Sequence, residues 1–366
     1  MYDISKGLKL VELHIDNYKI FKDFTISFTD KNHEPLPIII LAGINGSGKT
    51  TLLEYMKRDD FLTMRAFPAE NSVKIIKDGK TQLIKSSTQP QGLANYYATK
   101  DKIFPSNFEK DILYIPMIEN NVKDVKESLL EFYRKKSRAL DSHSKALKEI
   151  QNYIENIFES MNLSFRLEDI NDVIKNKEEV TFKNFKGDTF NIENLSTGES
   201  TLLSKVLYLF LKEIKNSVIL IDEPELSLHP SWQNRILKLY ETFAINNNCQ
   251  IIMATHSPHI IGGAKPEYVK LLVKENDTIK IIDEFSQSYG LEFSKILTDI
   301  MDVQYLRVPE VAEKLATIKM MIAQNDFDTP EFKENWQEME EIFGKNYLDL
   351  KLLKLEIASR KKSVQN

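Results

Sequence analysis

The stretch LPIIILAGINGSGKTTLLEYM, residues 36–56, decides the fold. Its first part is a short continuous apolar run, the pattern of a strand buried on both faces of a sheet. GINGSGKT, Gly43 to Thr50, fits G-x-x-x-x-G-K-[ST], and TTLLEYM continues as a helix. Strand, glycine turn and helix in that order make the pattern a phosphate cradle and not a chance turn. The glycines let the backbone wrap, so that N–H groups from Asn45, Gly46, Ser47 and Gly48 turn inward toward phosphate oxygens, and the helix adds its positive end. Lys49 is expected to reach the β- and γ-phosphates of ATP. The Thr50 hydroxyl is expected to ligate Mg2+, with Thr51 beside it.

A second half of such a site lies downstream. VILIDEPE, residues 218–225, is a hydrophobic strand ending in two acids. Asp222 is placed to hold the metal through water or Thr50, and Glu223 to orient and deprotonate an attacking water. ATHSPHII follows another buried-strand run and puts His256 at a strand's C-terminal end, where open α/β sheets bind ligands. His256 can there donate to the γ-phosphate or to the water. His14, His33, His143, His229 and His259 have no comparable setting. No His/Cys group has zinc-ligand spacing, and no G-x-S-x-G elbow is present.

NLSTGEST, residues 194–201, adds a second glycine-and-hydroxyl turn opening onto an apolar helix. Ser196 with Glu199 three residues later reads as a capping box. Ser196 and the amides near Gly198 also form an anion site at a helix N-terminus that has no phosphate of its own.

Composition sets the outer bounds. The 366 residues are 42% apolar and carry a net charge of −5, which supplies a real core and excludes a surface built wholly for nucleic acid. No apolar run approaches the roughly 18 residues of a membrane span, and the first residues lack the layout of a secretory signal. A cytoplasmic location is expected. The single cysteine, Cys249, reads as a core thiol. KDVKESLLEFYRKKSR, residues 123–138, gathers Lys123, Lys126, Arg134, Lys135, Lys136 and Arg138 among acids, the pattern of a solvated helix face.

Along the chain, LKLVELHI and FTISF predict two strands joined by DNYKIFKD, and VKIIKDGKTQLIK (73–85) a hairpin turning at Asp-Gly. DILYIP (111–116) predicts a further strand. Residues 121–161 lack glycine and proline and predict one long amphipathic helical region. VTFKNFKGDTFNI (180–192) predicts another hairpin, followed by helix from the serine of LSTGE, a helix starting near Pro230, and a closing hairpin over 268–282. The last 75 or so residues are helical and charged, with one stripe of Val311, Leu315, Ile318 and Ile322 and another of Phe332, Trp336, Met339 and Phe343.

With GINGSGKT, LSTGE, VILIDEPE, LSLHP and ATHSPH in this order, residues 8–285 resemble the ATP-binding-cassette ATPases, on the branch of chromosome-maintenance, recombination and anti-phage enzymes. The resemblance implies an α/β fold: an ABC-ATPase head with a P-loop NTPase sheet and an N-terminal antiparallel β part, a helical insert and a C-terminal helical extension. The head is expected over 1–120 and 196–289, the insert with its hairpin over 121–195, and the extension over 290–366. It further implies that Ser196, Gly198 and Glu199 of one copy close over the γ-phosphate held by the P-loop of another, giving a homodimer with ATP sandwiched between head-to-tail faces. Asn17, and more weakly Lys22, would lie near the nucleotide. LSLHP places His229 where transporters carry Asp. The family's glutamine before the insert has candidates in Gln82, Gln89 and Gln91 and is left unassigned. Relatives with a fused nuclease need a Glu and a strand-borne D-x-D, and no such strand-borne pattern is read beyond His256. The implied function is Mg2+-dependent ATP hydrolysis controlling a separate effector protein such as a nuclease, with or without nucleic acid and without a membrane, in anti-phage defence. The alternatives are a repair ATPase gripping DNA through 123–138 and, less in keeping with LSLHP, a transporter subunit.

Overall fold

The computed structural model describes residues 2–58, 60–62, 64, 70–86, 111–115, 122–172, 178–211, 213–283, 293–300, 308–344 and 347–364. Strands β1 (Leu8–Tyr18) and β2 (Phe21–Ser27) run antiparallel and meet in a tight turn, with Lys19 at φ 53°, so both extend into the expected eight-residue connection. β4 (Ser72–Lys77) and β5 (Lys80–Lys85) turn at Asp78 and Gly79, at φ 47° and 75°, the paired positive values of a type I′ turn. These four make one antiparallel sheet in the order β2-β1-β4-β5.

The second sheet carries the site. β3 (Ile38–Ala42), β10 (Val218–Asp222) and β11 (Gln250–Thr255) bury every residue. β6 (Ile112–Ile115), β12 (Val269–Glu275) and β13 (Thr278–Ile282) complete the order β13-β12-β3-β11-β10-β6. Pairing is parallel throughout except between β12 and β13. Asp222 lies opposite Ala254 and Thr255 opposite Ala42, so the C-terminal ends of β10, β11 and β3 line up along one edge. α1 (Lys49–Met56) follows β3 directly.

The insert differs from a single long helix. α2 (Val122–Leu140) and α3 (His143–Met161) are separated by Asp141, at φ 45°, and by Ser142, whose side chain accepts from the Lys145 amide as N-cap. Ser-His-Ser chemistry breaks the helix without glycine or proline. The expected hairpin is β8 (Glu179–Asn184) with β9 (Thr189–Asn191), and β7 (Phe165–Asn171), unforeseen, adds a third antiparallel strand. Phe158, Phe165, Phe182 and Phe190 pack their rings between α3 and this sheet. α4 (Thr197–Leu211), α5 (Pro230–Asn247) and α6 (Pro258–Gly262) belong to the same unit, Met1–Ile296.

The second unit, Leu297–Asn366, contains α7 (Pro309–Ala323), α8 (Pro330–Phe343) and α9 (Leu348–Val364). Both apolar stripes read from the sequence meet here: Leu315, Ile318 and Ile322 share a core with Phe332, Met339, Leu350 and Leu353, and Val311, Trp336 and Phe343 pack against it. No helix among the described residues is long and apolar enough to cross a membrane.

A buried amide joins the four-stranded and six-stranded sheets of the first unit. Gln250, fully buried at the start of β11, accepts from the Leu10 amide at 2.7 Å and donates to the carbonyls of Leu10 and Leu36 at 3.1 and 3.2 Å. Replacing it with leucine strands these backbone groups away from water. Gln250→Leu is expected to lower unfolding free energy by about 2–4 kcal/mol in urea; an unchanged midpoint would mean the sheets are held otherwise.

Lys9 is fully buried beneath the same junction, donating to Asn248 O at 2.9 Å. Burial pulls its ammonium down to about 8. Above that pH the folded chain has released a proton that the unfolded chain keeps to about 10.4, so this group makes stability rise with pH across the window. Between pH 8 and 9.5 the wild type should gain stability relative to Lys9→Met in chemical denaturation, and parallel pH profiles would contradict it.

Candidate active site

The glycine loop is shaped by backbone that only glycine accepts without strain. Gly48 stands at φ 91°, and a Cβ there would come within 2.8 Å of the Ile20 side chain and 3.0 Å of the Phe21 ring. The tip of the β1–β2 hairpin therefore rests on the loop. Asn17 and Lys22, register partners on that hairpin, stand at the same end, with Asn17 exposed. At Gly43, φ 149°, a Cβ would meet Ser47 Oγ at 2.5 Å and Leu272 O at 2.7 Å. Asn45 and Gly46 are exposed on the loop's outer side, and Ser47 is buried.

Lys49 opens α1 with its ammonium buried and donating to the carbonyls of Gly43 and Ile44 at 2.8 and 3.0 Å. Burial pulls its ammonium below the ordinary value, and the charges of Glu223, Glu225 and Asp222 oppose that shift. Thr50 Oγ1 donates to Asp222 Oδ1 at 3.1 Å. Burial pushes the Asp222 carboxyl up, against the Thr50 hydrogen bond, and neighbouring Glu223 adds to the rise. A hydroxyl and a carboxylate oxygen side by side, in a place where the anion is short of solvation, suit a hard cation such as Mg2+. Thr51 follows, half-buried, in the same first turn of α1.

Glu223 leaves β10 in the left-handed region, φ 44°, held there by its amide on Ala254 O at 2.9 Å. Strain of this kind in a non-glycine residue survives only where the surroundings impose it. Nδ1 of His256 is 3.3 Å from Glu223 Oε1 and 3.6 Å from Glu225 Oε1. The strand edge thus gathers Lys49, Thr50, Asp222, Glu223 and His256, which the chain supplies from three separate segments.

Glu225 closes the VILIDEPE run. The structure buries it, and its Oε1 accepts from Thr255 Oγ1 at 2.6 Å and from the His256 amide at 3.0 Å. It ties the turn after β10 to the turn after β11. Its signal was the second acid after Asp222, separated by a proline that makes the turn. His229 serves as N-cap of α5, its side chain accepting from the Ser231 amide.

The second turn is closed upon itself. Ser196 donates from both amide and hydroxyl to Glu199 Oε2, at 2.9 and 2.6 Å, and the Glu199 amide donates back to Ser196 Oγ at 3.3 Å. α4 begins at Thr197, with Ser196 its cap and not its first residue. Ser196 and Thr197 are exposed. Gly198 lets the turn lie against Trp232, whose ring a Cβ would meet at 3.3 Å.

The basic helix is largely spoken for. Lys126 pairs with Glu193 at 2.7 Å, Arg134 with Asp172 at 2.6 Å and Glu178 at 3.4 Å, Lys136 with Glu149 at 2.7 Å, and Lys135 with Glu213. Gln82 is exposed on β5, and Gln89 and Gln91 lie outside the described residues.

Residues 91–262 match a protein family described as an AAA domain (AbiEii toxin, Type IV TA system). Over 145 residues the chain is 33% identical to the "Retron Vc95 probable ATPase" of Vibrio cholerae, covering 36% of this chain and 27% of that one. Over 215 residues it is 28% identical to the "Septu protein PtuA" of Bacillus thuringiensis, covering 49% and 51%. The "Retron Ec83 probable ATPase" of Escherichia coli is 26% identical over 259 residues, 66% of this chain and 43% of that one. Over these stretches the chain is similar to proteins named as probable retron ATPases and to a Septu protein. It spans between about a quarter and a half of the length of these three curated relatives.

The contribution of Glu225 is separable from that of Lys49, Thr50, Asp222 and Glu223 at the strand edge. Glu225→Ala leaves a buried hydroxyl and amide unpaired and is expected to cost about 2 kcal/mol of stability and most of the turnover, while Glu225→Gln, which keeps an acceptor oxygen, retains the stability. Denaturation midpoints and steady-state phosphate release would show this; equal losses in both variants would contradict it.

Proposed function

We propose that the chain binds ATP with Mg2+ and hydrolyses it in pockets shared by two copies, and that this cycle controls a separate effector in an anti-phage complex. The observation carrying the reading is the strand edge itself, where Glu223 and His256 face each other 3.3 Å apart beside Thr50 and Asp222. In this reading Lys49 leaves the carbonyls of Gly43 and Ile44 for the β- and γ-phosphates, and the loop amides from Asn45 to Lys49 hold the remaining oxygens. Thr50 and Asp222 hold the metal. Magnesium, when bound, neutralises charge that develops on the phosphates. Glu223 accepts the proton of the water that attacks the γ-phosphorus as the bond to ADP breaks, and His256 donates to the γ-phosphate. Asn17 borders the nucleotide from the hairpin.

The sandwich rests on the second turn. Ser196, Gly198 and Glu199 present a completed helix N-terminus to solvent, with positive dipole and exposed hydroxyl, and a neighbour's γ-phosphate is the anion it fits. The relatives' names point to multi-component retron and Septu systems, which supports a separate effector, a nuclease in this reading. Direct DNA gripping by 123–138 is not favoured, because Lys126, Arg134, Lys135 and Lys136 already neutralise acids of the same chain.

Shared pockets have a signature that pockets within one chain cannot mimic. Lys49→Ala and Ser196→Arg chains are each expected to be inactive, and mixing them to restore hydrolysis at the one pocket built from two intact halves. Phosphate release from the mixture tests this, and a mixture as inactive as its components would refute shared pockets.

A further inference from the structure

Helix α9 is apolar on two sides. Leu350 and Leu353 enter the core of the C-terminal unit and Ile357 packs against it, whereas Leu348, Leu352 and Leu355 are 66%, 56% and 68% exposed. Steps of four and three residues put these three leucines in one line down the helix, continued at Ser359. That line is the narrow seam of a coiled coil, in contrast to the broader face that a helix lays on a globular core.

The charges beside the seam say what covers it. With Leu348 and Leu355 at d positions and Leu352 at an a position, Lys351 takes g, and Asp349 and Glu356 take e. In a parallel pair a g residue meets the e residue five places on in the other helix, so Lys351 of each copy faces Glu356 of the other. An antiparallel pair would set e against e, bringing Asp349 and Glu356 against acids. Lys351 makes no ion pair among the described residues, and Glu356 holds only its surface contact with Arg360 at 3.0 Å. Both are exposed and available.

We propose that two copies of this chain associate through α9 as a short parallel coiled coil that does not require nucleotide. Three leucines per helix bury little, and the entropic cost of association consumes much of their contribution, so the dissociation constant should be on the order of 10 µM. The proposal stands on α9 alone and is independent of the ATP pocket.

Sedimentation of the full chain without nucleotide or Mg2+ tests it. Wild type should pass from monomer to dimer through the micromolar range. Leu352→Lys and Leu355→Lys, both at exposed positions, should weaken association at least tenfold with an unchanged thermal midpoint. Lys351→Glu and Glu356→Lys should each weaken it, and the double swap should recover it. A chain that stays monomeric without nucleotide overturns the proposal and assigns the stripe to a different protein. Dimerisation that the double swap fails to recover overturns the parallel arrangement.

Discussion

Strands that bury both faces can sit only in the interior of a sheet, and this one constraint builds the candidate site. β3, β10 and β11 have no residue to show to water, so they lie side by side and parallel, with helices on the connections. Parallel strands in register end together. Everything that leaves them, the glycine loop after Ala42, the acids from Asp222 and the turn from Thr255, must therefore emerge at one edge, although the three segments are far apart in sequence.

That edge is electrostatically expensive. Asp222 and Lys49 are buried, and desolvation opposes the charge on both. Lys49 offsets its cost on loop carbonyls and through the three acids, and Asp222 through Thr50. Charges held this way, short of their full complement of partners, are preorganised for a ligand that brings both signs, as a metal-bound nucleotide does. The left-handed Glu223 and the Glu225 brace to Thr255 and His256 serve the same end, holding acid and histidine in place before any ligand arrives.

Much of this was legible because the deciding patterns are local. Buried-strand runs, the Asp-Gly hairpin and the glycine loop each fit within about ten residues, and each folds as read. Most of what failed to show depends on partners distant in sequence. β7 alternates only over Phe165 and Leu167 before a register shift between Leu167 and Asp169, and it becomes a strand because β8 pairs with it and Phe158 from α3 packs on it. The break at Asp141 needed only a capping serine and no classical breaker, so periodicity ran straight across it. Glu225 was invisible as a brace, since its partners come from β11, thirty residues on. Gln250 likewise reads as a polar intrusion in an apolar strand until Leu10 and Leu36 are beside it.

The basic helix and α9 show opposite ways of reading surface charge. On α2, Lys126, Arg134, Lys135 and Lys136 are matched by acids of the same chain, so much of the stripe that suggested nucleic acid is already neutralised. On α9 the unmatched lysine and the acid five residues on become complementary only when a second copy is supplied. Such a seam would alter what ATP has to accomplish. Copies already tethered meet at an effective concentration far above that of free chains. Closing a shared pocket then becomes a rearrangement within one assembly and not an encounter. In the proposed function, the nucleotide's binding energy would then go into changing the shape presented to an effector, and a single turnover would reverse that change without scattering the subunits.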